Sequence, residues 1–299
     1  MRIVPILFAL ALAVSPVSAG DFRKSFDEAV RKADDAQVDQ LAAAWMAAEP
    51  QNPEIYVKAA NYYFNKARRE LIGVSTKPAR EGDFSLRDSE TGKIVGSLGP
   101  VVSMNPQAAS RATDILRDAT RKFPERVDIW FGMAYVHKEL NNFDALYATI
   151  EEALKYCKSH STELKWKDGR PLPKDPANFI PEYLQPHIKH YFSNETPEGE
   201  ERALKLAKLV AESYPNHPYT LNSIGVYYAG KKDRVQAISY LEKAHKADPR
   251  DALIMMNLGL LYNELHDNAK ARAYYEKVIA SDGDEKIRQW ARENLAKLK

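Results

Sequence analysis

His187 and His190 are the residues with the most chemical promise in this 299-residue chain. Three apart on a helix, two imidazoles can share one face and reach one metal ion. A site needs at least one more ligand and an open position. The nearest upstream carboxylate, Glu182, lies five residues before His187 with Pro186 between them, so a regular helix is not expected to present it there. No Glu stands between paired histidines in the zincin manner. The pair reads as polar residues on a helix, with a metal-binding or enzymatic role as the alternative. Cys157 is the only cysteine, so no intramolecular disulfide can form, and it is expected as a partly buried thiol on a helix. There is no Gly-x-Ser-x-Gly elbow and no phosphate-cradling Gly-rich loop. Carboxylates are interleaved with Lys and Arg as solvated helix faces. No catalytic residue, metal ligand or cofactor is expected, and the chain reads as a non-enzyme.

The charge balance narrows the partners. Lys plus Arg number 43 against 41 Asp plus Glu, so no strong field would draw the chain to nucleic acid. Basic residues collect locally, six against three acidic from Lys155 to Asp175 and five against one from Lys286 to Lys299, and read as solvated faces. A hydrophobic content of 44% is enough for a sizeable core. At the N-terminus, Arg2 precedes an apolar run from Ile3 to Val14, then Val17-Ser18-Ala19 places small residues where a signal peptidase reads. Residues 1–19 are therefore expected to be a signal peptide, cleaved or, as the alternative, retained as an anchor. The run is short of the ~20 residues that a spanning helix needs, and no other segment is apolar enough to span. The expected location is outside the cytoplasm: periplasmic in a Gram-negative host, or secreted.

The elements behind these residues announce themselves by repetition. Pro215, Pro249 and Gly283 recur at 34 residues, as do Gly225 and Gly259. From Pro218, Leu221, Ile224, Gly225 and Tyr228 share one face of a first helix, while Ala237, Leu241 and Ala244 form the facing stripe of a second. From Ala252 the register returns with Met255, Leu258, Gly259 and Tyr262, then Ala271, Tyr275 and Val278. Upstream, Val127 opens a unit with Trp130, Met133 and Ala134, and Pro53 one with Tyr56, Ala59, Ala60 and Tyr63. The partner stripe of the latter, Ala112, Leu116 and Ala119, arrives about forty residues late. A divergent unit runs from about Leu184, and a pair over 22–48 ends at Pro50. The amphipathic stretch from Glu285 to Leu298, through Ile287, Trp290 and Leu295, is expected to cap the last pair.

This pattern resembles the tetratricopeptide repeat family, best over 218–251 and 252–285. The resemblance implies an all-α fold: a right-handed superhelical solenoid of about six helix-turn-helix pairs plus a capping helix, filling residues 20–299. It also implies a concave wall of first helices that holds a protein or peptide. On the family's wall positions stand Tyr219, Asn222 and Val226, then Leu253, Met256 and Leu260, and upstream Phe131 and Tyr135. The family's Lys and Asn clamp for a terminal carboxylate is not matched, because Asn222 and Val226 occupy those positions. An interaction scaffold is the function implied; self-assembly into a homo-oligomer is the alternative.

Two segments break the period. Over about 72–105, Phe84-Ser85-Leu86 and Ile94-Val95-Gly96 flank turn residues Asp88 to Gly92, predicting a two-stranded hairpin that rests against the helices. It is either a lip over the groove or a surface excursion. Over about 158–180, Trp166 sits among polar residues, either packed on the helices or exposed as a binding anchor.

Overall fold

The computed structural model describes residues 19–75, 79, 82–193 and 196–298. Apart from Ala19, the expected signal peptide lies outside them. The chain divides into two compact units, one ending at Phe123 and one beginning at Pro124. Both are built from antiparallel helix pairs, so the chain is a helical repeat solenoid. Among the described residues no helix is long and apolar enough to cross a membrane.

In the first unit α1 (Ala19–Arg31) pairs with α2 (Asp35–Ala48), and α3 (Pro53–Ala67) with α4 (Pro106–Lys122). Phe26 meets Trp45 edge to face at 6.1 Å, and Tyr56 meets Phe123 at 5.6 Å, so aromatic residues knit each pair. The helix starts were written in the sequence. Asn52 and Asn105 accept the first free N–H groups of α3 and α4, and Pro53 and Pro106 follow them where the missing donor costs nothing.

Between α3 and α4 the chain makes β1 (Arg68–Ser75), β2 (Phe84–Arg87) and β3 (Ile94–Met104). The expected two-stranded hairpin is therefore incomplete. β2 and β3 do pair around a turn held by Asp88, but β3 also pairs antiparallel with β1, from Arg68 opposite Met104 to Ser75 opposite Ser97, giving the order β1-β3-β2. β1 escaped notice because it leaves α3 directly through Arg68-Arg69-Glu70, a polar start that reads as the end of a helix. Nor does the sheet bury its apolar face on the helices: Ile72 is 81% exposed and Phe84 74%.

The second unit runs α5 (Val127–Glu139), α6 (Phe143–Ser159), α7 (Pro176–Phe192), α8 (Pro197–Ser213), α9 (Pro218–Gly230), α10 (Arg234–Ala247), α11 (Ala252–Glu264), α12 (Asn268–Ala280) and α13 (Glu285–Lys297). The first eight form four pairs. Arg126, without a capping side chain of its own to offer α5, instead grips Asp128 through two hydrogen bonds of 2.9 Å, and the pair is buried. Trp130 Nε1 donates to the Pro124 carbonyl.

The 34-residue repeat is a repeat of contacts. A Cβ at Gly225 would fall 2.7 Å from Leu241 Cγ, and one at Gly259 2.6 Å from Tyr275 Cε1, so in both pairs the glycine is what lets the second helix approach. Leu241 and Tyr275 occupy the same repeat position. The turns match as well, with Lys232 and His266 both in left-handed backbone (φ 60° and 59°) between first and second helix.

Two boundaries differ from expectation. α7 begins at Pro176 and passes through Pro181 and Pro186, so the second insertion is shorter and ends in a helix. In α13 it is Ala291 that is fully buried, with Ile287, Leu295 and Leu298 beside it; Trp290 is 42% exposed.

Candidate partner-binding wall

The first helices of the second unit stand side by side, and polar or aromatic contacts fix each step. Phe131 of α5 stacks on Tyr183 of α7, with centroids 4.7 Å apart and planes 10° apart. Gln185 of α7 donates to Ser223 Oγ at 2.7 Å and to the Tyr219 carbonyl at 3.1 Å, both on α9. Asn257 of α11 donates to Asn222 Oδ1 of α9 at 2.8 Å. Buried amides that hydrogen-bond across an interface set its register, because a slip would leave them unpaired.

On this wall Tyr219, Val226 and Leu253 are 37%, 40% and 40% exposed, and Tyr135 is 44% exposed with Lys138 Nζ 4.6 Å above its ring. Asn222 and Leu260 are half-buried. Two expected wall residues are not available. Phe131 and Met256 are 1% and 0% exposed. Phe131 is covered by the insertion and by α7: Trp166 meets its ring edge-on at 6.3 Å and Tyr183 stacks over it, while Met256 belongs to the core cluster around Leu258 and Tyr275. Of the two readings of Trp166, packing is the one found. Its ring sits edge-on to Phe179 at 4.9 Å and to Tyr183 at 5.2 Å, and the loop is pinned by Lys165, whose N–H donates to the Glu125 carbonyl and whose carbonyl accepts from Val127. Phe179 and Tyr183 were missed in the sequence; an aromatic four residues from another on a helix was the available sign.

Tyr219 keeps its proton, since burial and the carboxylates of Asp251, Asp248 and Glu182 push its phenol up. At the head of α9, His217 Nδ1 accepts from the Thr220 N–H at 3.3 Å and lies 2.8 Å from its hydroxyl. Burial lowers the His217 pKa to about 4, with Glu182 opposing.

The His187 and His190 pair fares differently. His187 is buried and its pKa is lowered to about 4, first by desolvation and then by Lys138 and His190. Glu182 is occupied with Lys174 at 2.7 Å. Among the described residues no group of three or more His, Cys, Asp or Glu is placed to hold a metal. Cys157 is fully buried, and desolvation pushes its thiol up to about 12, far from a reactive thiolate.

The first unit holds a cleft that the sequence did not announce. About 530 Å³ in volume, it lies between α1 and α3, with Phe26, Val30 and Tyr62 in its wall. Ion pairs from Lys58 to Asp27 and from Lys66 to Asp35 cross it, and the Tyr62 hydroxyl donates to Asp35.

Residues 228–292 match the family model described as tetratricopeptide repeat. Over 77 residues the chain is 36% identical to BBSome complex member BBS4 of Mus musculus, covering 26% of this chain and only 15% of that protein. Among solved structures, YrrB, titled a TPR protein with an unusual peptide-binding site, is 14% identical with a TM-score of 0.40, over 84% of this chain and 97% of its own. Yeast Tom70 is 14% identical with a TM-score of 0.44, over 92% of this chain and 46% of its own. PilW, a type IV pilus biogenesis factor, is 12% identical with a TM-score of 0.39, over 92% and 98%.

Paired helices with an open wall of first helices define an α-helical tandem-repeat protein, a class built for protein–protein interaction. The tetratricopeptide match falls on residues 228–292, within the second of the two units.

Proposed function

We propose that this chain is an exported interaction module that holds a helical or extended segment of a partner protein on the wall of α5, α7, α9 and α11. The observation that carries the reading is the open, mainly apolar surface of Tyr219, Val226 and Leu253 on adjacent first helices, with the amide pair of Asn222 and Asn257 between them. Apolar pockets supply affinity, and an amide on the same face supplies hydrogen bonds to a peptide backbone. Export rests on Arg2, the apolar run after it and Val17-Ser18-Ala19, and the compartment is the periplasm where the host is Gram-negative. The chain acts by holding its partner and carries out no chemical step of its own.

A photo-reactive residue at Leu253, cross-linked in the native compartment, is expected to capture a defined partner. Introducing V226E with L253E should then weaken that partner at least about a hundredfold with helicity unchanged, since both sites are open and neither props up the core. Undiminished binding by the double variant would remove the wall from consideration.

A further inference from the structure

The three-stranded sheet of the first unit has one face that is largely exposed among the described residues. Pairing sets which residues share it: Ile72 opposite Pro100, Val74 opposite Leu98, Leu98 opposite Phe84, Glu70 opposite Val102. Successive residues on a strand point to opposite faces, so Ile72, Val74, Phe84, Leu98 and Val102 form a single apolar surface. Ile72 is 81% exposed, Phe84 74%, Val74 70% and Val102 47%. The opposite face carries Ser75, Ser85, Ser97 and Ser103 with Gly73 and Gly99 between them, and also Arg69 and the pair of Leu71, 52% exposed, and Val101. The first face is thus the more apolar of the two, while the second interleaves its aliphatic residues with serine and glycine.

We propose that this face is the contact between two copies of the chain, which pack sheet on sheet about a two-fold axis. Size supports a second copy. The four most open side chains leave on the order of 500 Å² uncovered per chain, so pairing two faces removes on the order of 1,000 Å², the floor for a specific interface, before Leu98 and Leu86 are counted. A patch of this size is near the upper end of what a monomer leaves in water, where such patches are often functional. Charge supports it too. The only charged residues that the β1–β3 pairing puts on this face are Arg68 and Glu70, which already bridge each other at 3.2 Å, so two identical faces meet without repulsion. An anionic lipid surface would ask for unpaired cations here, and a face turned to a strongly charged partner would carry the opposite sign. An apolar, charge-balanced face can be its own complement, as an isologous contact requires. The sheet belongs to the first unit and the wall to the second, so the dimer contact is argued from different residues than the groove.

The test is the mass of the full chain in solution, by light scattering across a dilution series. A dimer is expected, with F84K raising its dissociation constant about a hundredfold or more and V226E with L253E, on the wall, leaving it unchanged. Single cysteines give a second reading that does not depend on how the sheet tolerates a lysine. Cys157 is buried and stays out of the reaction. Ile72→Cys and Phe84→Cys should oxidise to disulfide-linked pairs, whereas Ser85→Cys and Ser103→Cys on the other face should not. A chain that is monomeric throughout, a dimer indifferent to F84K, cross-linking equal on both faces, or a monomer that sediments with neutral phosphatidylcholine vesicles through Phe84 would each overturn the proposal.

Discussion

Two histidines show how a residue's surroundings set its chemistry. His187 and His217 both have pKa values near 4 in the fold, against an ordinary 6.5, chiefly because burial penalises the imidazolium. Between those values the unfolded chain binds protons that the folded chain refuses. Stability is thus complete above about pH 6.5 and falls as the pH drops toward 4, by on the order of 3 kcal/mol per histidine. Urea midpoints at neutral and mildly acid pH should show this, and H217N, which keeps an acceptor at the head of α9 but cannot titrate, should remove about half of the slope. An unaltered slope would move the effect elsewhere. Protonation also costs His217 its role as acceptor for Thr220, so acid should loosen the first turn of α9, where Tyr219 sits.

Helix pairs were legible where the code is local. Gly225 and Gly259 mark close approaches because any larger side chain would strike Leu241 or Tyr275, and Asp or Asn before a first apolar residue marks a start because that side chain caps it. Where the outcome depends on a distant neighbour, the sequence was silent. Phe131 has the same repeat position as Asn222, yet is buried, because Trp166 and Tyr183 arrive from thirty-five and more residues away. β1 was hidden for the same reason: nothing in Arg68-Arg69-Glu70 says that β3 will pair with it. Turns between helices offer a direct check. Lys232 and His266 hold left-handed backbone that costs a residue with a Cβ about 1 kcal/mol, so K232G or H266G should each raise stability by up to about that amount in denaturant titrations. A loss instead would mean that the side chain contributes more than its backbone costs.

The whole molecule is ordered by neighbour contacts more than by a central core. In the second unit each pair rests on the next, and the last rests on α13 through Ala291, Ile287, Leu295 and Leu298. Removing 285–299 leaves the α11 and α12 surface without its cover. Amide exchange should then accelerate first in α11 and α12, with α5 and α6 little changed, because stability in a linear array passes between adjacent units. Uniform acceleration across the unit would contradict that order.

The matched surroundings of Gly225 and Gly259, with like turns at Lys232 and His266, carry one more consequence. Residues 218–251 present to the following block nearly what that block presents in turn, so the segment is a tile with compatible edges. A duplicate spliced in frame after Asp251 would meet familiar neighbours on both sides. Length is then an adjustable parameter of this architecture: the wall of first helices grows by whole tiles, without any new kind of joint.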